Sequence, residues 1–232
     1  MYKRQDRDRF ILSKGHAGIA YAPVLCDFGY NDPEQLKTFN LTNSKMGIHL
    51  DSNKVAGVDA STGSLGHGIP IAAGTAIAAR VLGKDYYTYV VTGDGELDEG
   101  SNWEGLMTIR HYNLTNCITI VDRNHCMIDG NTEDVMKLEP LADKFVAFGF
   151  HTIVCEGNNI VSLCKAIDEA HKTKDKPTVI VADTIKGVGI KLTSGNYKWH
   201  YGAIDEEMAK VAAKDLDEYS AERIARCGKE FE

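Results

Sequence analysis

Strand-like and helix-like segments alternate between about residues 68 and 184, and this alternation limits the possible folds more than any other feature. Residues 68–82 are rich in Ala and Ile with little polarity and read as a buried helix. Residues 86–92 form an apolar, β-rich run, 99–111 a helix, and 117–122 a second strand. Then come a short helix over 141–148, a strand over 151–155, and an amphipathic helix over 159–173 capped by Asn158 or Asn159. Residues 177–183 are a last strand, with Pro177 tolerated at its start. This order predicts an α/β fold, a doubly wound parallel sheet with helices on both faces.

The strand ends carry the chemistry. Gly93-Asp94-Gly95-Glu96-Leu97-Asp98-Glu99-Gly100 follows the first strand, and Asp122-Arg123-Asn124 follows the second. Parallel strands would deliver Asp94 and Asn124 to one carboxyl edge, where ligands of such sheets bind. One carboxylate and one amide oxygen among glycines suit a small hard cation. Mg²⁺ takes oxygen ligands in an octahedron, usually from a few protein groups plus substrate phosphates. The pair therefore describes a diphosphate cofactor tethered through a metal. A bare Gly-Asp-Gly is also a common turn. Its place between two strands is what favours the cofactor reading.

Bulk properties narrow the classes. The length of 232 residues allows one large α/β domain, and 43% hydrophobic residues allow a sizeable core. A net charge of −7 and the lack of a dense basic cluster argue against a nucleic-acid surface. No apolar run approaches the length of a membrane span. The charged start of the chain lacks the apolar stretch of a signal peptide. Cys26, Cys117, Cys126, Cys155, Cys164 and Cys227 show no zinc or Cys-x-x-Cys spacing. Cys117 and Cys155 read as small buried hydrophobes in a reducing compartment, which predicts a cytoplasmic protein.

Residues 1–67 show no clear period beyond a helix-like stretch over 17–28, and their Gly, Ser, His and Thr suit active-site loops better than a core. Residues 187–202 are Gly-rich, irregular and long enough to be functional. Residues 205–232 read as a charged helical tail, and the whole of 1–232 as a single domain.

Taken together, several motifs resemble the N-terminal, diphosphate-binding half of transketolase, in particular the bacterial split form whose halves are separate chains. They are Asp8-Arg9-Phe10-Ile11-Leu12-Ser13-Lys14-Gly15-His16 and Ser61-Thr62-Gly63-Ser64-Leu65-Gly66-His67-Gly68, then the Gly93–Leu97 stretch. Ile120-Val121-Asp122-Arg123-Asn124, Ile128-Asp129-Gly130 and Thr184-Ile185-Lys186-Gly187-Val188-Gly189 complete the set, and the resemblance runs over residues 6–203. The separation of Asp94 from Asn124, about thirty residues, is similar to that in the thiamine-diphosphate signature.

The resemblance implies thiamine diphosphate and Mg²⁺ (or Ca²⁺ or Mn²⁺) as cofactors. Asp94, Asn124 and the backbone carbonyl of Cys126 would hold the metal. Gly63, Leu65, Gly93, Gly95, Glu99 and Ile128 would belong to the cofactor site, and His16, His49 and His200 would line the channel above the reacting carbon. Imidazoles there could bind sugar hydroxyls and move protons near neutral pH. The cofactor would carry the carbon–carbon chemistry, passing a two-carbon ketol unit from a ketose phosphate to an aldose phosphate. Glu99 and Glu104 would face a subunit interface, and His67 would either pack or support the site residues from behind; apart from the resemblance, Glu96 and Asp98 read as carboxylates at a helix N-terminus. Lys14 and Lys186 would either neutralise phosphate or stand on the surface. His111, His151 and His171 would be structural.

Four departures from the family pattern stand out. A family segment before the Asp8 motif is missing, so the domain reads as truncated at its N-terminus. His49 lies in Met46-Gly47-Ile48-His49-Leu50 rather than Gly-His-Pro, and Tyr201 intervenes before Gly202. His125 replaces a glycine after Asn124, which predicts a left-handed or strained residue costing about 1 kcal/mol. The implied partner is a C-terminal, pyrimidine-binding transketolase subunit in an α₂β₂ assembly, without which the chain would be inactive. Alternatives are another thiamine-diphosphate ketol transferase or synthase, or a non-catalytic truncated fragment. A nicotinamide Rossmann enzyme is more distant, because Gly93-x-Gly95 lacks the third glycine.

Overall fold

A computed structural model describes residues 6–227. Five strands form one sheet: β1 (Arg9–Leu12), β2 (Thr88–Gly93), β3 (Cys117–Arg123), β4 (His151–Glu156) and β5 (Thr178–Asp183). Their order is β1-β2-β3-β5-β4, and every pairing is parallel. The seven α-helices among the described residues are α1 (Gly18–Asp27), α2 (Gly68–Val81), α3 (Gly100–His111), α4 (Thr132–Val135), α5 (Leu141–Ala147), α6 (Ile160–Lys172) and α7 (Glu206–Cys227). The expected doubly wound α/β architecture is therefore present. β1 is an addition to it. Its four residues lie in a stretch too short and too charged at its flanks to show a strand period.

The sheet is covered on its two faces by different helices. Ile11, Val90, Val121 and Val179 pack with Ile69, Ala72 and Ala76 of α2, Leu106 and Ile109 of α3, and Phe145 of α5. On the other face Ile118 and Ile180 pack against Ala166 and Ala170 of α6. Small alanines on α2 and α6 let each helix lie close to the sheet, and the branched residues of the strands fill the layer between. Asn159 caps α6 by accepting from Val161 N at 3.0 Å and Ser162 N at 3.3 Å.

One expectation is corrected here. Residues before 68 do build a core, with Ala22, Leu25, Cys26, Met46, Leu50 and Val55 forming a separate buried cluster. Its members come from one helix and several turns, so no sequence period announces them. The charged helix read over 205–232 is present as α7 over Glu206–Cys227. Asp215 of α7 is buried and accepts from Lys191 N at 2.9 Å and from Lys191 Nζ at 3.2 Å, pinning the helix to the irregular 187–202 segment. Cys227 ends α7, and its side chain lies outside the described residues.

Candidate active site at the carboxyl edge of the sheet

Register places the strand-end residues side by side. Gly93 of β2 pairs with Asp122 of β3, and Asp94 N donates to Asp122 O at 3.1 Å. Asp94 is thus set beside Arg123 and Asn124. Its Oδ2 accepts from His125 N at 2.7 Å and from Arg123 Nη1 at 3.0 Å, and its Oδ1 accepts from Gly95 N at 2.8 Å. Burial pushes the Asp94 carboxyl above the usual carboxylate range, and these donors pull the other way. Asn124 Oδ1 accepts from Cys126 N at 3.1 Å, which folds the loop back on itself. His125 makes that fold possible by adopting φ +62°, the left-handed conformation expected of it.

A cavity of about 300 Å³ opens above this edge. Leu65, Gly93, Asp94, Gly95, Asn124, Cys126 and Ile128 line it together with His16 and His200. His49 and Gly63 stand beside one another next to it. Gly63 has φ +147°, and a Cβ there would come within 2.8 Å of the His49 ring, so only glycine lets the imidazole lie against this backbone. The His16 and His200 rings lie 5.0 Å apart. Burial, followed by Lys14, His200, Lys186 and His49, lowers the His16 pKa to about 4. Burial and then Lys186 and Lys14 lower that of His200. Both rings are held neutral at pH 7, able to accept a proton or hydrogen bond at one nitrogen and donate at the other.

Glu99 stands apart from the cavity. It is exposed ahead of α3, with its Cβ close to Gly66, and Glu104 is exposed on α3. Glu96 stands in the first turn of a short 3₁₀ helix, Gly95–Asp98, as its reading as a helix N-terminal carboxylate expects, and it does more than that. It is buried, accepts from Ser13 Oγ, from Gly66 N at 3.1 Å and from Gly93 N at 3.1 Å, and so knits three motif segments together. His67 is exposed at the start of α2 rather than packed.

The lysines resolve to the cavity. Lys14 and Lys186 both line it and are half-buried. Lys14 Nζ pairs with Asp122 Oδ2 at 2.5 Å, and Thr184 Oγ1 donates to Asp122 Oδ1 at 2.5 Å. Burial raises the Asp122 pKa, but Lys14, Thr184 and Asn124 outweigh it and hold the group below its usual range. Lys186 Nζ lies 3.4 Å from His200 Nδ1, and burial, then Lys14, lowers its pKa. Two cations beside Asp94 and Asn124 favour a polyanionic ligand. The sequence signal for them was their place inside the Ser-Lys-Gly-His and Ile-Lys-Gly motifs.

No cluster of three or more His, Cys, Asp or Glu side chains that could hold a metal occurs among the described residues. One carboxylate, one amide oxygen and one backbone carbonyl, completed by phosphate oxygens, form a hard-oxygen set that needs no such cluster. The donor chemistry at this edge therefore fits a small divalent cation bound together with a diphosphate.

A parallel sheet whose carboxyl edge joins acid, amide and lysines round a cavity marks a domain built to bind an anionic cofactor. The family described as "Transketolase, thiamine diphosphate binding domain" matches residues 2–221. The chain is 40% identical to one subunit of the apulose-4-phosphate transketolase of Actinobacillus succinogenes, over 91% of its own length and 76% of that protein. It is 38% identical to the 6-deoxy-6-sulfo-D-fructose transketolase subunit SqwG of a Clostridium species, over 93% of this chain and 78% of that one. The solved transketolase of Campylobacter jejuni superposes with a TM-score of 0.86 at 31% identity, covering 91% of this chain and 34% of that chain. The chain belongs to the transketolase family, as its thiamine-diphosphate-binding domain. It spans about a third of the length of solved transketolases of the long form.

Proposed function

We propose that this chain is the diphosphate-binding subunit of a thiamine-diphosphate- and Mg²⁺-dependent transketolase, which transfers a two-carbon ketol unit from a ketose phosphate to an aldose phosphate. The observation that carries the reading is the meeting of Asp94, Asn124, Cys126, Lys14, Lys186, His16 and His200 around one cavity at the carboxyl edge. When bound, thiamine diphosphate supplies the carbon that accepts and releases the ketol unit. Asp94 Oδ1, Asn124 Oδ1 and the Cys126 carbonyl hold the metal. Lys14 and Lys186 offset diphosphate charge. Leu65 and Ile128 give the ring system an apolar wall. His16 and His200, kept neutral, bind sugar hydroxyls and pass protons at their ring nitrogens, with His49 beside them.

The proposal extends to a pyrimidine-binding partner chain, with two active sites between subunits of an α₂β₂ assembly, and to a cytoplasmic setting in carbohydrate metabolism such as the pentose phosphate pathway. Two relatives are named as single subunits of their transketolases, which supports a separate partner chain. Their names also specify different ketoses, and this supports a second reading in which the ketose is not a pentose phosphate of central metabolism. The test is ketol transfer to ribose 5-phosphate from xylulose 5-phosphate, apulose 4-phosphate or 6-deoxy-6-sulfofructose. It is run with the chain alone and then with a pyrimidine-binding transketolase subunit added. The proposal expects turnover only in the paired reaction, and the preferred ketose separates the two readings. Full turnover by the single purified chain would contradict it.

A further inference from the structure

Arg123 is a buried cation at the centre of the metal edge, and the roles of the cavity residues leave it out. All five of its N–H groups are engaged. Nη1 donates to Asp94 Oδ2 at 3.0 Å and to Thr132 Oγ1 at 2.6 Å. Nη2 donates to Glu133 Oε1 at 3.0 Å and to Glu139 Oε1 at 2.8 Å, and Nε to the same Glu139 oxygen at 3.1 Å. The Arg123 and Asp94 side chains are 3% and 1% exposed, so this pair is shielded from solvent, while Glu133 and Glu139 lie towards the surface. A fully engaged guanidinium fork cannot swing away, and lysine cannot reproduce its geometry.

Counting acceptor sites shows what this does to Asp94. A carboxylate has about four lone-pair positions. Arg123 and the His125 amide take those of Oδ2, and Gly95 N takes one on Oδ1. The remaining position lies on Oδ1, the oxygen that Arg123 does not bond. Charge does not oppose a cation there. Asp94, Glu133 and Glu139 surround one guanidinium, which leaves the cluster with two net negative charges.

We propose that Arg123 is a positioning residue for the metal site. It fixes Asp94 in the single orientation that offers Oδ1 to the cation, and through Glu133 and Glu139 it ties the 132–139 segment to the metal loop. The inference rests on the reading of Asp94 as a metal ligand. Outer partners of metal ligands typically contribute about 10–100-fold in affinity, and Arg123 holds that relation to Asp94.

The experiment is a Mn²⁺ titration of the full chain at saturating thiamine diphosphate, with free Mn²⁺ read by electron paramagnetic resonance and folding checked by circular dichroism. Arg123→Met is expected to weaken Mn²⁺ binding by about 10–100-fold. Arg123→Lys should recover part of that loss. Glu139→Gln, which loosens the outer grip without touching Asp94, should weaken binding less but in the same direction. If Arg123→Met does not fold, the Lys and Gln variants decide. Wild-type or tighter Mn²⁺ binding in folded Arg123 and Glu139 variants overturns the inference. Asp94→Ala separates the two levels. Its loss of Mn²⁺ binding with Arg123 variants unaffected defeats only the role of Arg123. Its retention of Mn²⁺ binding defeats the ligand reading itself.

Discussion

The carboxyl edge of the sheet and the lobe of residues 6–67 contribute to the same cavity in opposite ways. At the edge, position follows from strand register. Gly93 pairs with Asp122, so Asp94 must stand beside Arg123 and Asn124. In the lobe, position follows from packing. His16 sits in a 3₁₀ turn whose Gly15 lies so close to the Thr62–Gly63 backbone that a Cβ would come within 2.7 Å. His49 rests on Gly63 and has no strand to aim it. The proposed metal ligands Asp94 and Asn124 are thus carried by strand ends, and all three histidines by short turns or irregular segments. The difference implies that binding and turnover can be damaged separately.

The largest expected effect tests that separation in the assembled enzyme. His16→Ala and His200→Ala should each lower kcat by about 10²–10⁴-fold, the range for a positioned acid or base, with thiamine diphosphate affinity close to wild type. Steady-state kinetics with the partner chain present, set beside cofactor titrations, checks this. A histidine variant that chiefly loses cofactor binding would place that ring with the diphosphate groups instead.

Packing in the lobe gives the next effect. Leu25 is 4% exposed within the lobe's own cluster. Leu25→Ala should cost about 2–5 kcal/mol, read from denaturant unfolding of the chain. An unchanged midpoint would mean that the lobe does not unfold with the sheet.

The smallest effect is in pH. The His16 pKa of about 4 lies below its unfolded value, so the unfolded chain binds the extra proton between roughly pH 6.5 and 4. Stability is therefore full above that window and falls as pH drops through it. His16→Gln should reduce the slope of Tm against pH between those limits, measured on the cofactor-free chain. Equal slopes in the two proteins would show that His16 is not buried against Lys14 and Lys186 as described.

How much of this was legible in the sequence follows the same division. Strand runs and Gly-Asp-Gly spacing located Asp94 and Asn124, because alternating elements constrain where strand ends meet. The left-handed His125 was legible through the resemblance, because the family pattern has a glycine there. Three features depend on long-range contacts that leave no period. β1 is four residues long, the lobe core draws Leu25, Met46 and Val55 from unlike segments, and Glu96 satisfies backbone donors from residues 66 and 93. The same reasoning explains α7. Its charged, helical character is legible, whereas the burial of Asp215 against Lys191 is a long-range contact of the same kind. Cys117, read as a small hydrophobe, is buried in β3, and burial pushes its thiol up to about 12. No helix among the described residues is long and apolar enough to cross a membrane.

The central claim is that the strand-edge oxygens hold a metal through which the diphosphate is bound. Calorimetric titration with thiamine diphosphate, with and without Mg²⁺, tests it most directly on the wild type, Asp94→Ala and His200→Ala. The account predicts Mg²⁺-dependent binding in the wild type and in His200→Ala. It predicts a loss of at least about 10–100-fold in Asp94→Ala, since a direct ligand should matter no less than an outer partner. Equal affinities for wild type and Asp94→Ala, or binding that ignores Mg²⁺, would contradict it.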